Sequence, residues 1–112
     1  TTPAAFQRLL AYLYSDALEL DDEVVIDVMR KAHEYDLTRA YNMCMRYCLQ
    51  HTSSSNAIPW LLHADAAKLE ELRAAMLQYM TRAFRAVRDE APETLAALQE
   101  SPALMLEVMK VI

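Results

Sequence analysis

Two groups of side chains have the types and spacing for chemistry. Ser53, Ser54 and Ser55 follow closely on His51, and Cys44, Cys48 and His51 fall at i, i+4 and i+7 of a helical pattern. A nucleophilic serine needs a base, an orienting acid and an oxyanion hole in fixed geometry. The strained elbow that usually presents such a serine carries glycines, and this chain has none. Adjacent serines also point in different directions, so at most one could serve. Turn and capping chemistry accounts for all three. The cysteines and His51 would share one helix face, as metal ligands can. A closed zinc site takes four ligands, and the fourth would have to come from His33, His63 or a distant carboxylate. Two reduced, packed thiols are the simpler reading. No catalytic, cofactor-binding or metal-ligating residue is expected, and the chain does not read as an enzyme.

The composition points the same way. At ordinary usage roughly 7% of residues are glycine, so about eight are missing from these 112. Tight hairpins, Gly-capped helix ends and phosphate-cradling loops are hard to build without them. That argues against a β-sandwich, a dinucleotide fold and a phosphate-loop enzyme. Ala, Leu, Met, Arg and Glu dominate, and all are good helix formers. The net charge of −5 is spread as −3 over residues 1–51 (five basic, eight acidic) and −2 over residues 52–112 (six basic, eight acidic). A nucleic-acid surface wants a positive field. No apolar run reaches the roughly 18 residues of a membrane span, and no signal peptide is visible. Two cysteines four apart suit a reducing compartment, so an intracellular protein is expected. The opening "TTPAAF" reads as the start of a fragment.

The elements that must position these groups are helices. "PAAFQRLLAYLY" places Phe6, Leu9, Leu10 and Leu13 at helical spacing, with Pro3 in the first turn. "SDALEL" is a turn and an extended step, with no strand in this chain to pair it. "DDEVVIDVMRKAHEYD" opens on acidic residues suited to a helix N-terminus and buries Val25, Val28 or Met29, and Ala32. Asp36 or Thr38 can cap "LTRAYNMCMRYCLQH", in which Leu37, Ala40 or Tyr41, Cys44 and Cys48 share a face. The stretch "HTSSSNAIPWLLHADAAKLEEL" then stops and restarts the helical pattern. Ser53 is the expected N-cap, and Pro59 favours a helix starting nearer Ser55 or Asn56 and burying Ile58, Leu61 and Leu62. In "KLEELRAAMLQYMTRAFRAVRDE", Leu69, Leu72, Met76, Tyr79 or Met80, Phe84 and Val87 form one stripe that Arg73, Arg82, Arg85 and Arg88 avoid. "PETLAALQE" and "PALMLEVMKVI" are two shorter helices. The expected fold class is all-α, six or seven helices with short joints. The serine stretch is then a helix–helix connection rather than a linker.

Three further groups have plain structural readings. Met29, Met43, Met76, Met80, Met105 and Met109 mostly fall on faces expected to be buried. Asp16, Glu19, Asp21, Asp22, Glu23 and Asp27 read as a solvated helix start, with a docking patch for a basic partner as the alternative. Arg82, Arg85 and Arg88 read as an exposed stripe paired with Asp89 and Glu90.

The order of motifs resembles a known family. "AFQRLLAYLYSDALEL", "VVIDVMRKAHEYDLTRAYNMCMRYC" and "SSSNAIPWLLHADAAKLEELRAAMLQYM" are similar to the C-terminal half of a BTB/POZ domain running into the helical extension called the 3-box or BACK region, most of all in speckle-type and MATH-linked members. The specific marks are "YLYSD", the A-x-x-Y-D-L joint at 32–37, the following cysteine helix and NA…LL-x-AD at 56–65. The resemblance implies residues 1–51 as C-terminal BTB/POZ helices and residues 52–112 as a 3-box/BACK-like extension. It implies a protein–protein interaction module in the nucleus or cytoplasm, most simply a substrate adaptor of a cullin-3 ubiquitin ligase. A BTB oligomerisation scaffold without a ligase role is the alternative. It maps cullin contact onto Tyr14, Ser15, Asp16 and Ala17 and onto Gln50, His51, Thr52, Ser53 and Ser54. It implies self-association through the family's N-terminal half, which this sequence lacks, as it lacks the hydrophobic-x-Glu motif of many cullin binders. Neither nucleic acid nor membrane is an expected partner.

Overall fold

The computed structural model describes residues 3–112, and among them every regular element is a helix. These are α1 (Pro3–Ser15), α2 (Val25–Glu34), α3 (Thr38–His51), α4 (Ala57–Ala66), α5 (Glu70–Glu90), α6 (Pro92–Gln99) and α7 (Pro102–Val111). The fold is all-α, as the composition requires. All four prolines lie in the first turn of a helix, where a missing N–H has no carbonyl to lose. Pro59 is the third residue of α4, which resolves its conflict with a helical pattern by the later start.

The chain forms two compact units, one ending at His51 and the other Thr52–Ile112. In the first, α2 packs against both α1 and α3. Val25, Val28, Met29 and Ala32 are buried, as are Ala40, Cys44 and Cys48 on α3. On α1 the buried face is Ala5, Leu9 and Tyr12. This corrects the apolar stripe read from sequence: Phe6, Leu10 and Leu13 are exposed, because the small Ala5 marks the side that approaches its neighbour. Leu37 and Tyr41 are half-buried. In the second unit, α4 packs mainly on α5, while α6 and α7 pack on α5 and on each other. Ile58, Leu61, Leu69, Leu72, Met76, Met80 and Val87 are buried. Trp60 is buried where Leu62 was expected, Leu62 being half-buried. Helix α5 bends at Ala83 (φ −124°, ψ 17°), and the next residue, Phe84, is half-buried. Among the expected core methionines Met29, Met76 and Met80 are buried, Met43 and Met105 half-buried, and Met109 exposed.

The joints show how helices end here without glycine. Asp36 and Lys68 adopt left-handed φ of 56° and 58° just past α2 and α4. Leu37 N–H donates to the Ala32 carbonyl at 2.8 Å and Asp36 N–H to His33 at 3.3 Å. Leu69 N–H donates to Ala64 at 2.9 Å and Lys68 N–H to Asp65 at 3.3 Å. Each is a Schellman closure, with a Leu following the left-handed residue. Asp16 (φ 61°) ends α1 by the simpler single bond, its N–H donating to Tyr12 O at 2.8 Å. Asn56 immediately precedes α4 and makes no side-chain capping bond into it. Its Oδ1 instead accepts from Ser53 N–H at 2.8 Å, and the Ser53 carbonyl accepts from Ala57 N–H at 3.0 Å, so the turn into the helix begins at Ser53.

In the second unit Arg73 of α5 ties three helices together. Its guanidinium donates to Asp65 of α4 at 2.8 Å and to Glu107 of α7. Its side chain is only 20% exposed, so it does not sit with the open arginine stripe. Arg88 pairs with Asp89 at 3.0 Å, whereas Glu90 accepts from Ser54 Oγ at 2.7 Å. No described helix is long and apolar enough to cross a membrane.

Candidate functional site

Tyr14 stands on the last turn of α1 and is 91% exposed, the most open large side chain of the core-forming types. Its position follows from the helix: Tyr12 takes the buried face, and two positions on points the next aromatic to solvent. Ser15 closes the helix by donating its hydroxyl back to Ala11 O at 2.7 Å. Asp16 then turns left-handed, its carboxylate held by Arg39 of α3 at 2.8 Å. Ala17 follows, exposed. Tyr14, Ser15, Asp16 and Ala17 thus form an exposed corner at the end of α1, closed by the Asp16 N–H bond to Tyr12 O.

The acidic run after this corner is exposed up to Glu23, as a solvated helix start should be, and Asp21 and Asp22 are also bonded within the unit. Arg8 reaches Asp21 at 3.4 Å and the Glu19 carbonyl at 3.0 Å. Asp21 also accepts from Glu23 and Val24 N–H at 3.0 and 2.9 Å, capping the turn into α2. Tyr47 donates its hydroxyl to Asp22 at 2.7 Å. That bond, with burial and the nearby acids adding to it, pushes the Tyr47 phenol up to about 12.

On α3, Gln50 is exposed and lines a groove of about 320 Å³ with Leu18, Leu20, Met43, Arg46 and Tyr47. Gln50 is therefore brought beside the segment that directly follows Ala17. His51 stacks on Tyr47 at 4.0 Å between ring centroids, its Nδ1 2.9 Å from Tyr47 O. Thr52, Ser53 and Ser54 open the second unit and are half-buried. Ser53 Oγ lies 2.9 Å from Ser55 Oγ, and Ser54 is engaged by Glu90.

Cys44 and Cys48 are buried free thiols, each pushed up to about 12, chiefly by burial. His51 lies outside that core, exposed, so the three do not share one environment. No cluster of metal-ligating side chains occurs among the described residues.

Sequence reasoning missed one feature. Arg39, Met43 and Arg46, at i, i+4 and i+7, bring both cations and a methionine to one side of α3, and with Thr38 and Asn42 they line a second groove of about 480 Å³. The i, i+4, i+7 spacing lies on the side of α3 away from Cys44 and Cys48, among polar residues that carry no apolar periodicity.

Residues 1–52 match the family model of the BTB/POZ domain. A BTB/POZ and MATH domain-containing protein 6 from Arabidopsis thaliana is 22% identical over a 128-residue alignment that covers 90% of this chain and 31% of that protein. Kelch-like protein 41b from Danio rerio is 24% identical over 116 residues, covering 98% of this chain and 19% of that protein. The chain thus spans less than a third of the length of these curated relatives.

Proposed function

Residues 1–52 are BTB/POZ-type sequence, a protein-interaction domain, and on that premise we propose that this chain works as the adaptor part of a cullin-3 ubiquitin ligase. In this reading residues 1–51 are the C-terminal helices of the domain and residues 52–112 a 3-box/BACK-like extension. The cullin meets Tyr14, Ser15, Asp16 and Ala17 and the stretch from Gln50 to Ser54. The protein acts inside the cell, in nucleus or cytoplasm, on a substrate recruited by another part of the polypeptide.

The observation that carries the reading is Tyr14, an aromatic side chain 91% exposed on the last turn of α1. A folded protein gains nothing from that exposure, whereas aromatic anchors ringed by polar groups dominate many interfaces. Ser15, Asp16 and Gln50 are the polar groups at hand. A pull-down with the cullin-3 N-terminal region tests it. Loss of an anchor is expected to cost about 2 kcal/mol or more, roughly thirtyfold in affinity, for Tyr14→Ala. Unchanged binding by that variant removes Tyr14 from the contact, and no binding by the full-length wild type removes the ligase role.

The outward apolar residues of α1, Phe6, Leu10 and Leu13, favour a second reading, a BTB scaffold that self-associates without a ligase. Light scattering on the full-length protein separates the two: stable oligomers with no cullin affinity support the scaffold.

A further inference from the structure

Five basic side chains lie in the unit ending at His51, and the first four are paired: Arg8 with Asp21, Arg30 with Asp27, Lys31 with Glu34 and Arg39 with Asp16. Arg46 alone makes no hydrogen bond or ion pair with a described residue, although this unit carries a net charge of −3. It is exposed, and it lines both grooves on the outer side of α3. We propose that this side of α3 docks an acidic peptide segment of a partner protein, one in which a carboxylate stands beside an apolar side chain.

The two grooves divide the labour. In the larger, Arg39 and Arg46 flank Asn42, giving two forked cations and an amide for one or two carboxylates. The Arg39–Asp16 pair does not block this. Both side chains are about two-thirds exposed, with relative accessibilities of 67% and 68%, so the pair holds little energy and Arg39 can share a second carboxylate. In the smaller groove, half-buried Leu18, Leu20 and Met43 make an apolar floor. Methionine adapts to varied apolar shapes. Met43 belongs to both grooves, so a ligand crosses from the charged end to the apolar end over one side chain. Asp22, bonded to Tyr47, and Glu19 place negative charge near the apolar end. They set the direction, because a peptide carboxylate is repelled there and attracted to Arg46. The docking rests on α3 and the 18–20 segment and does not require Tyr14.

The test is selection of a randomised dodecapeptide library on the full 112-residue chain, followed by affinity measurement on synthetic winners. Enriched peptides are expected to carry Asp or Glu within one turn of Leu, Met or Phe. Charge reversal, Arg46→Glu, is expected to weaken them about tenfold or more, since attraction becomes repulsion, while Arg46→Lys weakens them less. Rising salt should weaken binding to wild type, and Tyr14→Ala should leave it unchanged. No enrichment, enrichment of neutral or basic peptides, or equal affinity for a normally folded Arg46→Glu overturns the proposal. So does unchanged affinity when the peptide's apolar residue becomes Ser, because the site would then be a bare anion site. Loss of binding in Tyr14→Ala would place the peptide at the α1 corner and equally overturn it.

Discussion

At the residue scale, burial and local bonding set the chemistry that individual groups can perform. The Cys44 and Cys48 thiols are raised from about 9.0 to about 12 by loss of water. Thiolate is the reacting species, so alkylation near pH 8 should be very slow in the native protein and fast in denaturant, a comparison mass spectrometry makes directly. The same shift sets a pH dependence of stability. The protons are held more tightly in the folded state than in the unfolded one. The contribution is therefore complete below about pH 9 and is lost as the pH climbs towards about 12. Urea midpoints that stay flat from pH 9 to 11 would contradict it. These buried cysteines were legible in the sequence because i, i+4 spacing within an apolar helix leaves few other readings. The exposure of Phe6, Leu10 and Leu13 was not. Periodicity shows that a helix has an apolar stripe, but α1 has apolar residues on two sides, and only its packing partner, α2, selects Ala5, Leu9 and Tyr12.

At the element scale, what matters is how each helix stops and what locks it to the next. Left-handed backbone at a residue bearing Cβ costs roughly 1–2 kcal/mol, and Asp tolerates it better than Lys. Lys68→Gly should therefore stabilise the protein by about 0.5–1 kcal/mol, with Asp36→Gly gaining less; thermal denaturation of both variants checks the order. In Arg73→Ala, Asp65 and Glu107 lose their shared cation on a partly shielded site, and a loss of about 1–2 kcal/mol is expected. A melting temperature equal to wild type would mean the ion triad is ornamental. Proline legibly fixed the starts of α1, α4, α6 and α7, since its missing N–H is tolerated only in a first turn. The turn leading into α4 was only partly legible. Ser53 could be read as a capping residue, but the bond from its N–H back to Asn56 Oδ1 could not. The Ala83 bend has neither Pro nor Gly to announce it.

At the scale of the whole molecule, the all-α class followed from composition, but the grooves on α3 did not. The one beside Gln50 depends on the segment 18–20 lying against that helix, a contact no local pattern specifies, whereas the other is lined by α3 alone. The two compact units carry separate reporters: the only Trp, Trp60, in one and both cysteines in the other. We expect Trp fluorescence and thiol accessibility to give different urea midpoints; coincident curves would instead indicate a single cooperative transition. The glycine-free joints reach beyond the native state. A polypeptide with a side chain at every position wanders through fewer backbone shapes when denatured, so it surrenders less disorder on folding. Part of what keeps this chain folded is thus written into its random coil, where no native contact can display it.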